Sequence, residues 1–338
     1  MGQRRLLQVF LAVLLASSLF QLVHHLNGFL VGRCERRPVY APRQQRSHRQ
    51  VLLWTQIRSG SSFTGRVLTL ATQTFYSEEP IRVYNHSLGR DMRAAAAFLR
   101  DILLCRFSRH LKYFQDYLTW HYQDLKVRYL CEFDPKLCSS PLTHEAFCRA
   151  VRVVVVRVVA LALTAAIPLM EDAALEVRVV HLVRDPRAAI ASRRSLPAGV
   201  HLYEEESNVT SVCARYREDL AAAATLRRFY PKRYILVRYE DLALHPEREV
   251  RRLYEFMGLP FTAFVAQFLF EHTSGLLGRE EENQPYALFR NSTEVAYRWR
   301  ERMSHEDAMV IQDQCEDVLQ SYGYETVETG KDNGKGYK

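Results

Sequence analysis

Zinc-ligand spacing is missing from this chain. Its seven cysteines include no C-x2-C pair and no histidine–cysteine cluster with zinc spacing, which argues against a structural zinc site. No DNA- or RNA-binding motif occurs, which leaves the basic excess to other anions. There is no internal repeat and no low-complexity run, excluding a solenoid and an extensively disordered chain. The Walker A loop, G-x-x-x-x-G-K-[ST], is incomplete. Gly60 and Gly65 have its separation, but Arg66 stands at the lysine position and Val67 at the Ser/Thr position. Val67 cannot ligate magnesium, which argues against a P-loop kinase or NTPase.

What is present is an anion-binding pattern without the metal. Val51–Leu70 reads VLLWTQIRSGSSFTGRVLTL. Its apolar start predicts a buried parallel strand, its centre a tight turn at Gly60, and its end a helix from Phe63. A helix N-terminus offers unpaired N–H groups and partial positive charge to an anion. Arg58 and the hydroxyls of Ser59, Ser61 and Ser62 are further donors. The plainer reading is a serine-rich turn that only caps a helix.

Val177–Ser195, VRVVHLVRDPRAAIASRRS, is a second element of this kind. Val179–Val183 predicts a strand, Asp185 an N-cap and Pro186 the first helical residue. Arg184 then lies at the carboxyl end of a strand, where open α/β sheets bind ligands. Ser192 follows about two turns into the helix, so Arg184 and Ser192 could grip one phosphate from two sides. The plainer reading pairs Asp185 with Arg187 or Arg184.

Together these two elements resemble the Golgi carbohydrate sulfotransferases that act on the 6-hydroxyl of galactose, N-acetylgalactosamine or N-acetylglucosamine. The resemblance runs from about Val51 to Tyr324. It also takes in Tyr234–Leu242, YILVRYEDL, and Arg290-Asn291-Ser292-Thr293 leading to Trp299-Arg300. It implies a co-substrate, 3′-phosphoadenosine-5′-phosphosulfate (PAPS), and no metal. It places Arg58, Ser59, Gly60, Ser61, Ser62 and Phe63 at the 5′ end of PAPS and Arg184 with Ser192 at its 3′-phosphate. Tyr239 would face the adenine and Asp241 would cap the next helix. The family carries a lysine in the strand before the second motif. Here that strand reads Val153-Val154-Val155-Val156-Arg157, with Val154 at the lysine position.

Sulfuryl transfer needs positioning, charge stabilisation and a base for the acceptor hydroxyl. Glu79, in a segment similar to the family's F-E-P, is the expected base, with Glu78 one residue out of alignment and His86 a weaker alternative. Pro80 predicts an extended Glu79. Arg58 would balance charge on the leaving phosphate. A non-catalytic protein that binds PAPS or glycan through a degenerate site is the alternative.

The rest of the chain fits a secretory enzyme. Leu6–Leu22 is apolar and uncharged after Arg4 and Arg5, which predicts a transmembrane signal anchor; a cleaved signal peptide is the rival. Six arginines follow between Arg33 and Arg49 and argue for the reverse orientation. The sequons at Asn85, Asn208 and Asn291 argue for a lumenal domain and decide the reading. The expected order is a cytosolic tail at 1–5, anchor at 6–22, stem at 23–50, lumenal catalytic domain at 51–325 and polar tail at 326–338. The expected place is the Golgi membrane, and the expected partners are that membrane and a glycan or proteoglycan acceptor. With 46 basic against 38 acidic residues, the surface suits a nucleotide and a polyanionic glycan. Six cysteines allow 15 full pairings. Cys34 is the odd one and would pair between chains in a homodimer.

The expected fold is α/β: a P-loop-like sulfotransferase domain with a parallel sheet flanked by helices. Val151–Met170 is apolar, but Arg152, Arg157 and Pro168 argue for a buried strand and helix rather than a second membrane span.

Overall fold

The computed structural model describes residues 48–84, 91–119, 124–159, 161–196, 206, 208–275 and 291–327. The expected anchor, residues 23–47 of the expected stem, Cys34, Asn85, His86, Arg290 and the polar tail from residue 328 lie outside these residues, while Arg49 and Gln50, expected in the stem, belong to the first strand. No described helix is long and apolar enough to cross a membrane.

Five strands form one parallel sheet: β1 (Arg49–Thr55), β2 (Thr74–Glu78), β3 (Val153–Val158), β4 (Val177–Val183) and β5 (Tyr234–Arg238). Their spatial order is β2-β3-β1-β4-β5. The inner strands β3, β1 and β4 are rich in Val and Leu because both sheet faces are covered by helices. On one face Val51, Leu53, Val153, Val155 and Val180 pack with Val67, Leu68 and Leu253. On the other, Leu52, Trp54, Val154, Val156 and Val179 pack with Leu99, Ile102, Leu169 and Leu226. Strand alternation therefore sends Val154 and Arg157 to opposite faces. Val154 is fully buried in the core, away from the face that carries helix Ser61–Leu68.

β1 leads through the loop at residues 56–60 into helix Ser61–Leu68 on the first face. The return from β4 to β5 includes helix Val209–Phe229, whose Ala222, Ala223 and Leu226 belong to the second face. The chain thus leaves neighbouring strands β1 and β4 toward opposite sides, the kind of switch point at whose strand carboxyl ends open α/β sheets bind ligands.

Side-chain caps open several of the helices. Asp91 caps Met92–Leu103 through Arg93 N and Ala94 N. Asp185 caps Pro186–Arg194, with Pro186 in the first turn. Val151–Met170 becomes β3, a short 3-10 turn and helix Ile167–Glu171. Two expectations need correction. The helix after the anion loop starts at Ser61, not Phe63, because Gly60 takes the left-handed conformation at its N-cap. Asp241 does not cap a following helix: it lies in the first turn of Tyr239–Leu244, and the N-cap of Pro246–Met257 is His245. β5 passes straight into the Tyr239 helix, so the turn that would have freed Asp241 never forms.

The six described cysteines make three disulfides: Cys105–Cys148, Cys131–Cys138 and Cys213–Cys315. The last ties helix Val209–Phe229 to the C-terminal helices around Trp299, Ile311 and Leu319.

Candidate active site

The loop after β1 is shaped by backbone and held by the second motif. Gly60 has φ 88°, and a Cβ there would lie 2.4 Å from Tyr239 Cδ2. Glycine is required twice over, for its dihedral and for the ring against it. Arg58 also has positive φ, at 66°, a conformation that costs a side-chain-bearing residue energy and that surrounding contacts must sustain. Those contacts come from the loop and helix after β4. Arg193 Nε and Nη2 donate to Ile57 O at 3.2 and 3.0 Å. Arg184 Nη1 donates to Arg58 O at 3.0 Å, and Arg58 Nε donates to Ser192 Oγ at 3.1 Å.

Arg58, Arg184 and Ser192 therefore meet, although 126 and 134 residues separate Arg58 from the other two. Arg184 Nη2 donates to Val295 O at 3.2 Å, while its Nε is buried with no hydrogen-bond partner among the described residues. The Arg184 guanidinium lies 4.5 Å from the Tyr239 ring centroid. Tyr239 is thus wedged between Gly60 and Arg184. Ser59 is fully buried and Ser61 nearly so, while Arg58, Gly60, Ser62 and Phe63 are half-buried. The first-turn N–H groups of Ser61, Ser62 and Phe63 have no carbonyl partner within their helix.

Beneath this junction lies a buried polar layer. Arg187 donates to both Asp185 oxygens, at 3.0 Å from Nε and 2.7 Å from Nη2. The plain pairing of Asp185 with Arg187 thus holds alongside its capping role. Glu240 accepts from Asp185 N at 3.1 Å and from Tyr324 Oη at 2.9 Å, and burial raises its carboxyl pKa. Tyr216 Oη donates to Arg184 O at 2.8 Å. Arg187, Arg193, Tyr216 and Glu240 were not legible as site residues. Only the arginines adjoining the R-D-P and S-R signatures hinted at them.

A second group sits at the carboxyl ends of β2 and β3. Arg157 Nη1 donates to Ser62 Oγ at 2.8 Å, and its Nη2 donates to Glu79 Oε1 at 2.5 Å. The same Nη2 forms an ion pair with Glu78 Oε1. Glu79 is not extended: its φ is 44°, in the left-handed region, and its N–H donates to Arg157 O at 3.1 Å. That bond turns the chain out of β2 and overrides the preference set by Pro80. Burial pushes the Glu78 carboxyl up to about 7; Arg157 opposes the rise and Glu79 adds to it. Burial disfavours the charge on Arg157, but Glu79, Tyr76 and Glu78 more than compensate and raise its hold on its proton. Arg157 is the functional side chain that spacing left without a role. Its signal was a charge inside an otherwise aliphatic strand.

Two sequon asparagines are described. Asn208 is exposed and caps its helix by accepting from Ser211 N at 3.1 Å. Asn291 also caps a helix, and its Nδ2 donates to Glu294 Oε1 at 2.7 Å.

Residues 54–263 match the family described as "Sulfotransferase family". "Carbohydrate sulfotransferase 6" of Homo sapiens is 31% identical over 82% of this chain and 81% of its own length. "Carbohydrate sulfotransferase 1" of Rattus norvegicus is 28% identical over 88% of this chain and 84% of its own. Among solved structures, the sulfotransferase domain of the Synechococcus PCC 7002 olefin synthase covers 87% of this chain and all of its own, with 16% identity and a TM-score of 0.48. On the family match and the shared length with the human relative, this chain belongs to the sulfotransferase family, among the carbohydrate sulfotransferases.

Proposed function

We propose that this protein transfers the sulfuryl group of PAPS to the 6-hydroxyl of a galactose, N-acetylgalactosamine or N-acetylglucosamine residue in a glycan. The observation that carries the reading is the junction of the two motifs at the ends of β1 and β4, through Arg58 Nε to Ser192 Oγ and Arg184 Nη1 to Arg58 O. The donor set fits a nucleotide with phosphates at two positions. Two arginines, Arg184 and Arg193, converge on a loop that opens a helix, and Arg184 keeps a buried Nε without a partner among the described residues. PAPS supplies a sulfuryl group activated by its bond to phosphate. Arg58 and Ser59–Phe63 would hold its 5′ end, Arg184 and Ser192 its 3′-phosphate, and Tyr239 its adenine side.

This chain's own residues do the rest. Glu79 takes the proton of the acceptor hydroxyl; its side chain is 26% exposed, enough to meet a substrate. Arg157 and the helix N-terminus place positive charge around Ser62. Val154 has no part in this, because its side chain enters the opposite face of the sheet. The remaining assignments rest on sequence: a type II anchor at 6–22, a lumenal domain in the Golgi, N-glycans at Asn85, Asn208 and Asn291, and a homodimer through Cys34.

The test is transfer of labelled sulfate from PAPS to chondroitin, keratan and N-acetylglucosamine-terminated acceptors, with Arg58→Ala alongside. Transfer to at least one acceptor, lost in Arg58→Ala, is expected. PAPS binding without transfer to any acceptor would favour the non-catalytic alternative. Undiminished transfer by the variant would remove Arg58 from the site.

A further inference from the structure

The segment that matches F-E-P in the family reads Glu78-Glu79-Pro80 here. A second carboxylate therefore stands where that pattern carries an aromatic ring. Glu78 is the last residue of β2 and lies in register with Arg157 of β3. Their side chains are 4% and 5% exposed, against 26% for Glu79. Both carboxylates converge on Arg157 Nη2, while Nη1 reaches Ser62 in the anion loop.

We propose that Glu78 is a positioning residue for the reaction: through Arg157 it governs both the Ser62 end of the anion loop and the freedom of Glu79 to take the acceptor's proton. The inference rests on the sulfuryl-transfer reading of the site.

The argument is one of charge. One guanidinium forms the ion pairs with both carboxylates in a nearly dry space, which leaves the second negative charge only partly compensated. The other groups that face Glu78 are Arg66 from helix Ser61–Leu68, Arg82 from the 3-10 turn after Pro80, Tyr76 from its own strand and Tyr117 from helix Leu111–Thr119. Arg82 is engaged with Asp116 at 2.5 Å, and Arg66 is partly exposed. Neither replaces a second buried cation. The pair accommodates the excess charge by holding a proton, and Glu78, the more buried member, holds it up to about pH 7.

The two states differ in what Arg157 does. With Glu78 protonated, Glu79 alone neutralises Arg157 and is held in a full ion pair. With Glu78 ionised, the two carboxylates divide one cation, and Glu79 is released from part of that hold. In turnover the acceptor oxygen forms its bond to sulfur as the sulfur–oxygen bond to the 5′-phosphate breaks. The acceptor proton passes to Glu79 and then to solvent. Glu78 exchanges its own proton only with solvent and touches no reacting atom.

The experiment uses the full chain as wild type, Glu78→Gln and Glu78→Asp. Sulfate transfer is followed from about pH 5 to 9, and calorimetry reads the affinity for 3′,5′-adenosine bisphosphate (PAP) over the same range. Wild-type kcat should rise through a limb near neutral pH. In E78Q the limb should vanish and the plateau fall roughly tenfold, as expected when a base is held more tightly. E78D should keep the limb, a result that mere loss of packing would not produce. As pH rises through neutral, the wild type should lose PAP affinity relative to E78Q by about two- to threefold, the effect of one added charge at the loop. An unchanged pH profile and kcat in E78Q overturns the positioning role and leaves the function standing. No transfer by the wild type, with the PAP difference intact, overturns the function and keeps Glu78's link to the loop. Identical pH dependence of PAP affinity in both proteins overturns that link.

Discussion

Gly60→Ala tests the anion site at its tightest point. The substitution has two separable costs. Gly60 sits at φ 88°, and a side chain in the left-handed region costs about 1–2 kcal/mol in the folded backbone. The new Cβ would also lie 2.4 and 2.5 Å from Tyr239 Cδ2 and Cε2, so the ring must leave. Its departure forfeits the stack on Arg184, whose guanidinium is 4.5 Å from the ring centroid; such a contact contributes about 0.5–2 kcal/mol. The first cost should appear in unfolding by denaturant. The second should appear as a two- to thirtyfold loss of PAP affinity by calorimetry, the range that this energy converts to. The two positions should also couple. In a Tyr239→Ala background the ring is gone, so Gly60→Ala should keep its stability cost and lose its further effect on affinity. If it weakens PAP binding equally in both backgrounds, the ring does not lie against Gly60 and the wedge is refuted.

Three further outcomes follow from the buried chemistry. Cys213–Cys315 spans 102 residues and Cys131–Cys138 spans 7. Chain entropy assigns about 4.7 and about 2.5 kcal/mol to loops of those sizes, so Cys213→Ala should lower the non-reducing Tm well beyond Cys131→Ala; equal losses would refute the ordering. Burial raises the Asp219 carboxyl to about 6, against an ordinary 3.8, although Leu163 N and Gln56 Nε2 both donate to it. The folded state therefore binds this proton more tightly than the unfolded state, and stability falls as pH rises from about 4 to 6. Asp219→Asn should stabilise by on the order of 3 kcal/mol above that window and progressively less below it, and a pH-independent difference in Tm would contradict the assignment. Arg187→Met removes the cation held by Asp185, Gln312 Oε1 at 3.0 Å and Glu325 O at 2.7 Å. It strands a buried carboxylate and should cost about 3–5 kcal/mol in denaturant unfolding; a loss under about 1 kcal/mol would mean that Asp185 finds another partner.

Much of this molecule is legible from local rules. β1 and β3 are apolar runs that read as buried strands, and the carboxyl cap before Pro186 reads as a helix start. Gly60 marks a turn because steric limits on φ act within a residue or two. Those rules placed the two anion motifs at strand ends and the Val151–Met170 segment inside the core. They failed where a partner far along the chain decides the outcome. Glu79 is left-handed because its N–H bonds to Arg157 O across to β3, and Asp241 loses its capping role because β5 runs directly into a helix. Cysteine spacing left 15 pairings open; Cys131–Cys138 closes locally between consecutive helices, and the packing of distant elements selected Cys105–Cys148 and Cys213–Cys315. The residue types of the site were determined by the sequence alone. Their meeting was decided by the strand order: β1 lies between β3 and β4, so the loop that follows it touches Arg157 on one side and Arg184 and Ser192 on the other.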